Sequence, residues 1–462
     1  MNRFSRREFL GQASAATLAA LSMNAASSHA AAAPKPRADR MILLWMGGAM
    51  GQTETFDPKR YFPFEKGMET KKLLSSFPTI DTCVDHIKFC QGVENLAQVI
   101  DRGSVLRSYV ARDYGAQAED LQHIPLQFKF HTGYTLPSTV APPFLGAVIS
   151  RLRGPLNPDI PPYIEIGRSE KTANVFLALA AFSTAGFLGA EHGSLMIPEA
   201  TRAADILRTR IDAGRFDDRY RRFKELVAAS PVGELGSSHQ KESLLRSLDS
   251  AYRLLKSPAA KALDLGQEKK EVYQTYDTGP FGRGCLLARR LVEAGARFVE
   301  VHVDFENAKG WDTHSDGHRG QAKMKKVIDA PVARLILDLE ERGLLDSTLV
   351  VLATEFGRAT IGRGGTKVKT IDTINNYGLH GHFGAAASFL LFGGGIKKAN
   401  VHGRTDDEYP CATVENPVPI QDLHATLYHL MGISPKHSFE VERRPFYVTK
   451  DGLGKPVTGL IA

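Results

Sequence analysis

Cysteine is scarce, 4 in 462 residues with no CxxC pair, which excludes a disulfide-dense scaffold and argues against a thiolate zinc site. No segment holds about 18 uninterrupted apolar residues, so no stable membrane span is expected. The 58 basic residues are interspersed with 51 acidic ones and form no run. That mildly basic surface reads as plain solubility rather than a nucleic-acid surface, while still admitting an anionic substrate. What is present, 43% hydrophobic and 24% charged, is ordinary globular composition with length for one or two domains.

The N-terminus carries the first specific motif. Ser5-Arg6-Arg7-Glu8-Phe9-Leu10 precedes an Ala/Leu-rich stretch, Ala13 to Leu21, and a small-x-Ala site at Ser28-His29-Ala30. This pattern predicts a twin-arginine signal peptide over residues 1–33, with the twin-arginine translocase as partner and a mature domain over 34–462 outside the cytoplasm, periplasmic or extracellular. The competing reading is a fortuitous Arg pair before an Ala-rich helix. Three arginines against Glu8 fall in this stretch, so its removal takes the formal net charge from +7 to +5. The route carries chains that fold before crossing, commonly around a metal or cofactor. Cys83 and Cys90, seven apart, are read either as a bridge or as buried free thiols; Cys285 and Cys411 are isolated.

Along the chain, Arg40 to Met46 is a short apolar run before Gly47-Gly48, the pattern of a buried first strand feeding a loop. Ile87 to Val93 and Ser104 to Tyr109 are predicted as further strands. Residues 200–262 join dense charge to apolar positions at helical spacing and are predicted as a helical insertion or cap with solvated faces. From 281 the pattern alternates: helix at Leu286 to Gly295, strand at Phe298 to Val303, helix at Val327 to Arg342, strands at Leu349 to Thr354 and Ser388 to Phe392. Alternation of this kind predicts a mainly parallel sheet covered on both faces, with chemistry in the loops beyond the carboxyl ends of its strands.

Polar clusters fall in those loops. Asp312 and His314 follow one strand, Glu355 and Arg358 the next, and His380 and His382 precede the last. Carboxylate and imidazole without thiolate suit a divalent cation such as zinc, manganese, calcium or magnesium. The first loop adds Glu54 and Asp57, the latter equally a turn start before Pro58. His318, four residues after His314, is read as outside the ligand set. Arg107 and Arg358 fit an oxyanion clamp, since guanidinium matches sulfate or phosphate bidentately, or else plain structural pairing. Gly393-Gly394-Gly395 lacks the following Lys-Ser/Thr of a phosphate loop and reads as a tight turn.

The segments SRREFLG, GQTETFDPK, RFVEV…GWDTHSD, LEERGLLDSTLVVLATEFGR, FLLFGGGIKKANVHGRTDD and DLHATLYHLMGI, in this order, resemble the bacterial domain of unknown function 1501 over nearly all of residues 40–447. That family resembles a branch of the alkaline-phosphatase and sulfatase superfamily. The resemblance implies an α/β fold with an alkaline-phosphatase-like core, a mixed and mostly parallel sheet, helices on both faces and a helical insertion. It also implies a one- or two-metal centre acting on phosphate or sulfate esters. Asp312 and His314 fall where the superfamily's first-metal ligands lie. His382 matches the His six residues before the Ser of the late strand, with His380 as local competitor and Gly381 where many relatives carry Asp. Where superfamily members carry Asp-His, this chain reads Glu355-Phe356, so a second metal would lose an imidazole. Nine residues before the Thr132-Gly133 turn, where sulfatases place their nucleophile, stands His123, and Ile124 follows where relatives commonly have Ser. His123 is then a nucleophile, a general base, a metal ligand or a loop cap.

Together these features predict an exported metal-dependent hydrolase of phosphate or sulfate esters, free or polysaccharide-derived. The rival expectation is a catalytically silent binding or scaffold protein that keeps the fold.

Overall fold

The computed structural model of the chain describes residues 27–29, 32–111, 121–135, 140–168, 185–207, 213–229, 238–303, 310–360 and 369–462. The twin-arginine motif lies outside the described residues. Within the segment predicted as signal, Ser27–His29 forms a short strand paired antiparallel with Ser438–Val441.

The first strand of the central sheet, β1 (Arg40–Met46), is apolar on both faces because both are covered. Met41, Leu43 and Trp45 enter one core and Ile42, Leu44 and Met46 the other, as the two-residue period of a strand requires. Burying each such side chain contributes roughly 1.5–3 kcal/mol, which makes β1 the natural centre of the sheet. The remaining strands are β2 (Gly103–Val110), β3 (Tyr163–Ile166), β4 (Leu195–Ile197), β5 (Phe298–Val303), β6 (Thr348–Ala353), β7 (Ala387–Phe392), β8 (Asn400–His402) and β9 (Val418–Pro419). Their order is β8-β2-β7-β6-β1-β5-β3-β4, with β9 also pairing β2. Among the described strands of this sheet, only β7 runs antiparallel to its neighbours, β6 and β2. The sheet is thus mixed and mostly parallel, and the fold is α/β.

The helices that position the site are α1 (His123–Thr132), α2 (Leu145–Arg153), α3 (Ala213–Ala229), α4 (Ser238–Lys256), α5 (Pro280–Ala294), α6 (Gly317–Glu341) and α7 (Ile420–Leu430). Helices α5 and α6 cover one face of the sheet; α1, α2 and α7 cover the other. The predicted helical insertion holds α3 and α4. No described helix is long and apolar enough to cross a membrane.

Three predicted details differ. Ile87 to Val93 supplies only Lys88–Cys90, which pairs antiparallel with Thr79–Asp81 outside the central sheet, because it returns directly onto its sequence neighbour. Helix α6 begins ten residues before the predicted start at Val327. Its first turns are polar in sequence, yet Gln321 and Lys325 are buried, with the Lys325 ammonium donating to the carbonyls of Glu54 and Gln91. Cys83 and Cys90 are unbridged: Cys83 is exposed, and Cys90 is buried with its thiol facing the Thr53 carbonyl. The Gly393–Gly395 turn is as predicted, since all three residues have positive φ and a Cβ on Gly393 would strike the Leu345 carbonyl.

Candidate metal centre

β1, β5 and β6 are parallel, so the chain leaves Met46, Val303 and Ala353 at one edge of the sheet, and antiparallel β7 starts from that same edge. The loop after β1 turns at Gly48, where φ is +111° and a Cβ would stand 2.7 Å from the Asp312 amide nitrogen. A side chain there would push the two loops apart, so glycine is required. The amide of Gly48 donates to Glu355 Oε1 at 2.9 Å. Just before β7, Gly381–Phe383 pairs antiparallel with Gly357–Ala359, setting His382 opposite Arg358. His123 opens α1, and fully buried Trp311 anchors the segment that carries Asp312 and His314.

Asp312 is the hub. Its Oδ1 lies 2.8 Å from His314 Nε2, 3.0 Å from His123 Nε2 and 3.8 Å from His382 Nε2, and it also accepts from Arg358 Nη2. One ligand atom from each of His123, Asp312, His314 and His382 lies within 4.8 Å of the other three. This is close to the spacing of donors around a small ion, about 3.3 Å apart when each bond is about 2 Å. Burial alone would raise the Asp312 pKa, but the three imidazoles and Arg358 hold its carboxyl far below the usual range.

The surroundings orient the rings. His382 Nδ1 is 2.6 Å from the Leu121 carbonyl, which can only accept; the proton therefore sits on Nδ1, and Nε2 turns a lone pair toward the cluster. That buried Nε2 has no hydrogen-bond partner, as expected of an atom placed for an ion. Burial lowers the His382 pKa and keeps the ring neutral. His123 Nδ1 contacts Glu355 Oε1 at 2.6 Å while Nε2 faces Asp312. Burial works against its charge, yet the two carboxylates win and its pKa is raised. A histidine with one nitrogen on a carboxylate and the other on a cation site is the usual arrangement of a metal ligand. His314 is the most open member, its side chain 27% exposed.

The other predicted residues fall elsewhere. Glu355, predicted as a ligand, stands behind His123: Oε1 takes the Gly48 amide and His123, and Oε2 accepts from Thr354 Oγ1. Its pKa is lowered although burial opposes this. Glu54 is outside the four-residue group, bonded to Ser76, and burial raises its pKa. Asp57 bonds Thr405 and faces Lys59 and Arg107, also away from the group. His380 is fully buried with its ring outside the group, and burial pushes its pKa down to about 4. Both arginines bond to protein acceptors. Arg107 donates to the carbonyls of Phe56 and Lys88. Fully buried Arg358 donates to Asp312 and to the carbonyls of Gly48, Ala49, Thr313 and His380. His318 stacks on Phe77 and reaches Ser76 Oγ at 3.1 Å.

Sequence reasoning missed the Gly48 amide and the Leu121 carbonyl, which orient ligands through the backbone and leave no side-chain signal. It also passed over a second buried polar group, in which Glu300 Oε1 lies 2.7 Å from His131 Nε2 and 3.2 Å from His302 Nε2. The clue was visible: Glu300 and His302 are polar positions at strand spacing in the apolar run FVEVHV.

Residues 38–461 match the family described as "Protein of unknown function (DUF1501)". No curated protein matches the chain. Among solved structures the chain is similar to a lipoteichoic acid synthase from Listeria monocytogenes, with 9% identity over 97% of this chain and 84% of that one and a TM-score of 0.36. A protein in the alkaline phosphatase superfamily from Vibrio parahaemolyticus shares 10% identity over 100% of this chain and 80% of its own, TM-score 0.36. A sulfatase from Pseudoalteromonas sp. shares 11% over 92% and 72%, TM-score 0.35.

Proposed function

The chain belongs to the DUF1501 family, and we propose that it is an exported metal-dependent hydrolase of phosphate or sulfate esters. The observation that carries this reading is the convergence of His123, Asp312, His314 and His382, from separate segments, on one small space. Three imidazoles and one carboxylate fit zinc or manganese better than calcium or magnesium, which prefer an all-oxygen shell. When bound, such a cation supplies Lewis acidity, polarising an ester oxygen and lowering the pKa of water.

The protein's own groups prepare that space. Glu355 holds the His123 ring through Nδ1, the Leu121 carbonyl holds His382, and Arg358 fixes Asp312 from behind. The four-residue group contains no hydroxyl or thiol, and Ile124 stands where relatives commonly carry Ser, so the nucleophile in this reading is water. The half-open side at His314 is where an anionic ester, free or on a polysaccharide, approaches. Motifs similar to the alkaline-phosphatase and sulfatase superfamily support the substrate class, and the Ser5-Arg6-Arg7 motif supports export to the periplasm or beyond.

A silent scaffold that keeps one structural metal is the second reading, favoured by the missing side-chain nucleophile and by the full engagement of Arg358 with protein carbonyls. Metal analysis of the purified protein followed by a panel of aryl phosphate and sulfate esters separates the two. Turnover abolished by chelation and restored by zinc or manganese supports the hydrolase; stoichiometric metal without turnover across the panel supports the scaffold.

A further inference from the structure

Residues 200–262 hold 13 Lys and Arg against 8 Asp and Glu, a surplus of +5. The whole chain carries +7, and residues 1–33 contribute +2 of it. The remainder of the chain is therefore balanced, and the helical insertion holds the excess.

Within the insertion, α3 and α4 pack through Phe216, Tyr220 and Tyr252, with the Tyr220 and Tyr252 rings stacked at 3.9 Å. One flank of the pair is closed by polar contacts: Asp217 meets Lys256 at 2.7 Å and Tyr252 at 2.9 Å, and Asp249 meets Lys224 at 3.0 Å. The opposite flank differs. At about 100° per residue, Arg215, Arg219, Arg222 and Leu226 fall within about 60° of arc on α3, Asp217 points away from it, and Asp218, paired with Arg221 at 2.6 Å, and Glu225 lie at its edge. Leu244 occupies the matching flank of α4. Leu226 is 68% exposed, and Phe223 and Leu244 are each 45% exposed. Arg219 and Arg222 are exposed, and neither forms an ion pair with a described carboxylate.

A single exposed leucine needs no explanation. Three large apolar side chains beside a row of arginines are the pattern of a helix that lies in a membrane interface. We propose that this face of the α3–α4 pair rests on an anionic lipid surface. Arg219 and Arg222 meet the phosphate headgroups, and Phe223, Leu226 and Leu244 enter the boundary between headgroups and acyl chains. A polysaccharide polyanion would engage the arginines but would leave the apolar side chains in water, which is why the lipid surface is the better partner. The inference does not depend on the metal centre.

The full chain is mixed with vesicles of phosphatidylglycerol and phosphatidylcholine, or of phosphatidylcholine alone, and sedimented at low and raised salt. The wild type sediments with the anionic vesicles and less so as salt rises. Arg219→Gln with Arg222→Gln weakens binding about 30-fold, and Phe223→Ser with Leu226→Ser weakens it about tenfold or more, both without a change in melting temperature. If the apolar pair lowers the melting temperature, Leu244→Ser on the other helix replaces it. Failure of the wild type to sediment overturns the proposal. So does binding that falls with the arginine pair yet survives the apolar substitutions, which marks a surface for soluble polyanions instead.

Discussion

Glu355 stands directly behind His123, its Oε1 2.6 Å from the ring's Nδ1, while the far nitrogen of that ring faces Asp312 at 3.0 Å. The carboxylate sets both the tautomer and the direction of the ring, and it raises the ring's basicity toward a cation. Glu355→Gln keeps the shape but loses the charge. Metal affinity, measured by competition with a chelator, falls by about 10- to 100-fold with the sheet still folded. Wild-type affinity in this variant would show that Glu355 does not orient a ligand.

His314 offers the cleanest test of the ligand set, because its side chain is partly open and its removal leaves little cavity. His314→Ala lowers metal per chain strongly and changes the melting temperature of the metal-free protein little. A purely structural histidine behaves in the opposite way, costing about 1–3 kcal/mol with metal content unchanged. Exposed His86 is the control; His318 is unsuitable, since it stacks on Phe77 and bonds Ser76. Unchanged metal in His314→Ala removes it from the set.

Arg358 is fully buried, with its guanidinium donating to Asp312 and to four backbone carbonyls. A lysine reaches only part of that array and leaves several acceptors unpaired. Arg358→Lys is expected to destabilise the protein by about 3–5 kcal/mol, read from denaturant unfolding. Normal stability with a selective loss of ester turnover would restore the anion-clamp role and refute this one.

Acid sensitivity has a source away from the cluster. Burial pushes the His424 pKa down to about 4, and its Nε2 donates to the Phe130 carbonyl at 2.6 Å. The unfolded ring titrates near 6.5, so between these values the unfolded chain binds the extra proton. The contribution is complete above about pH 6.5 and declines as pH falls toward 4, by roughly 3 kcal/mol. His302, pushed down to about 3 by burial, acts in the same direction. His424→Gln keeps a donor for Phe130 and removes the titration. Melting temperatures between pH 7.5 and 4.5 should fall less steeply in the variant, and parallel curves would eliminate His424 as a cause.

The proposed export would rest on the guanidinium pair of Arg6 and Arg7, which a twin-arginine translocase reads as an address. Replacing both with Lys should leave the unprocessed chain in the cytoplasm, as judged by fractionation. Processed protein still reaching the periplasm contradicts the signal assignment.

Much of the scaffold was legible from local pattern. β1, β6 and β7 read as short apolar runs because a strand covered on both faces has no polar side to show. The alternation of such runs with amphipathic helices is sufficient to predict a mostly parallel sheet and the loops in which Asp312, His314, Glu355 and His382 lie. Where periodicity was masked the reading slipped, as in α6, whose polar first turns bury Gln321 and Lys325 against distant carbonyls and amides rather than against an apolar face.

The candidate site divides in the same way. Residue chemistry alone nominated Asp312, His314 and His382, since imidazole and carboxylate are what a divalent cation takes up, while His123 came only from the resemblance to sulfatases, as nucleophile, base, ligand or loop cap. It nominated Glu54, Asp57, Glu355 and His380 on equal grounds, because a carboxylate or imidazole in a loop looks the same whether it faces an ion, a neighbouring side chain or a backbone amide. Only the tertiary structure distinguishes them. The register of Gly357–Ala359 against Gly381–Phe383, the positive φ of Gly48 and the start of α1 place His123, Asp312 and His382 within ångströms although 189 and 70 residues separate them in sequence. Local sequence determines which segments become strands and helices through hydrophobic periodicity; which side chain faces the shared space depends on long-range packing, which no local pattern encodes.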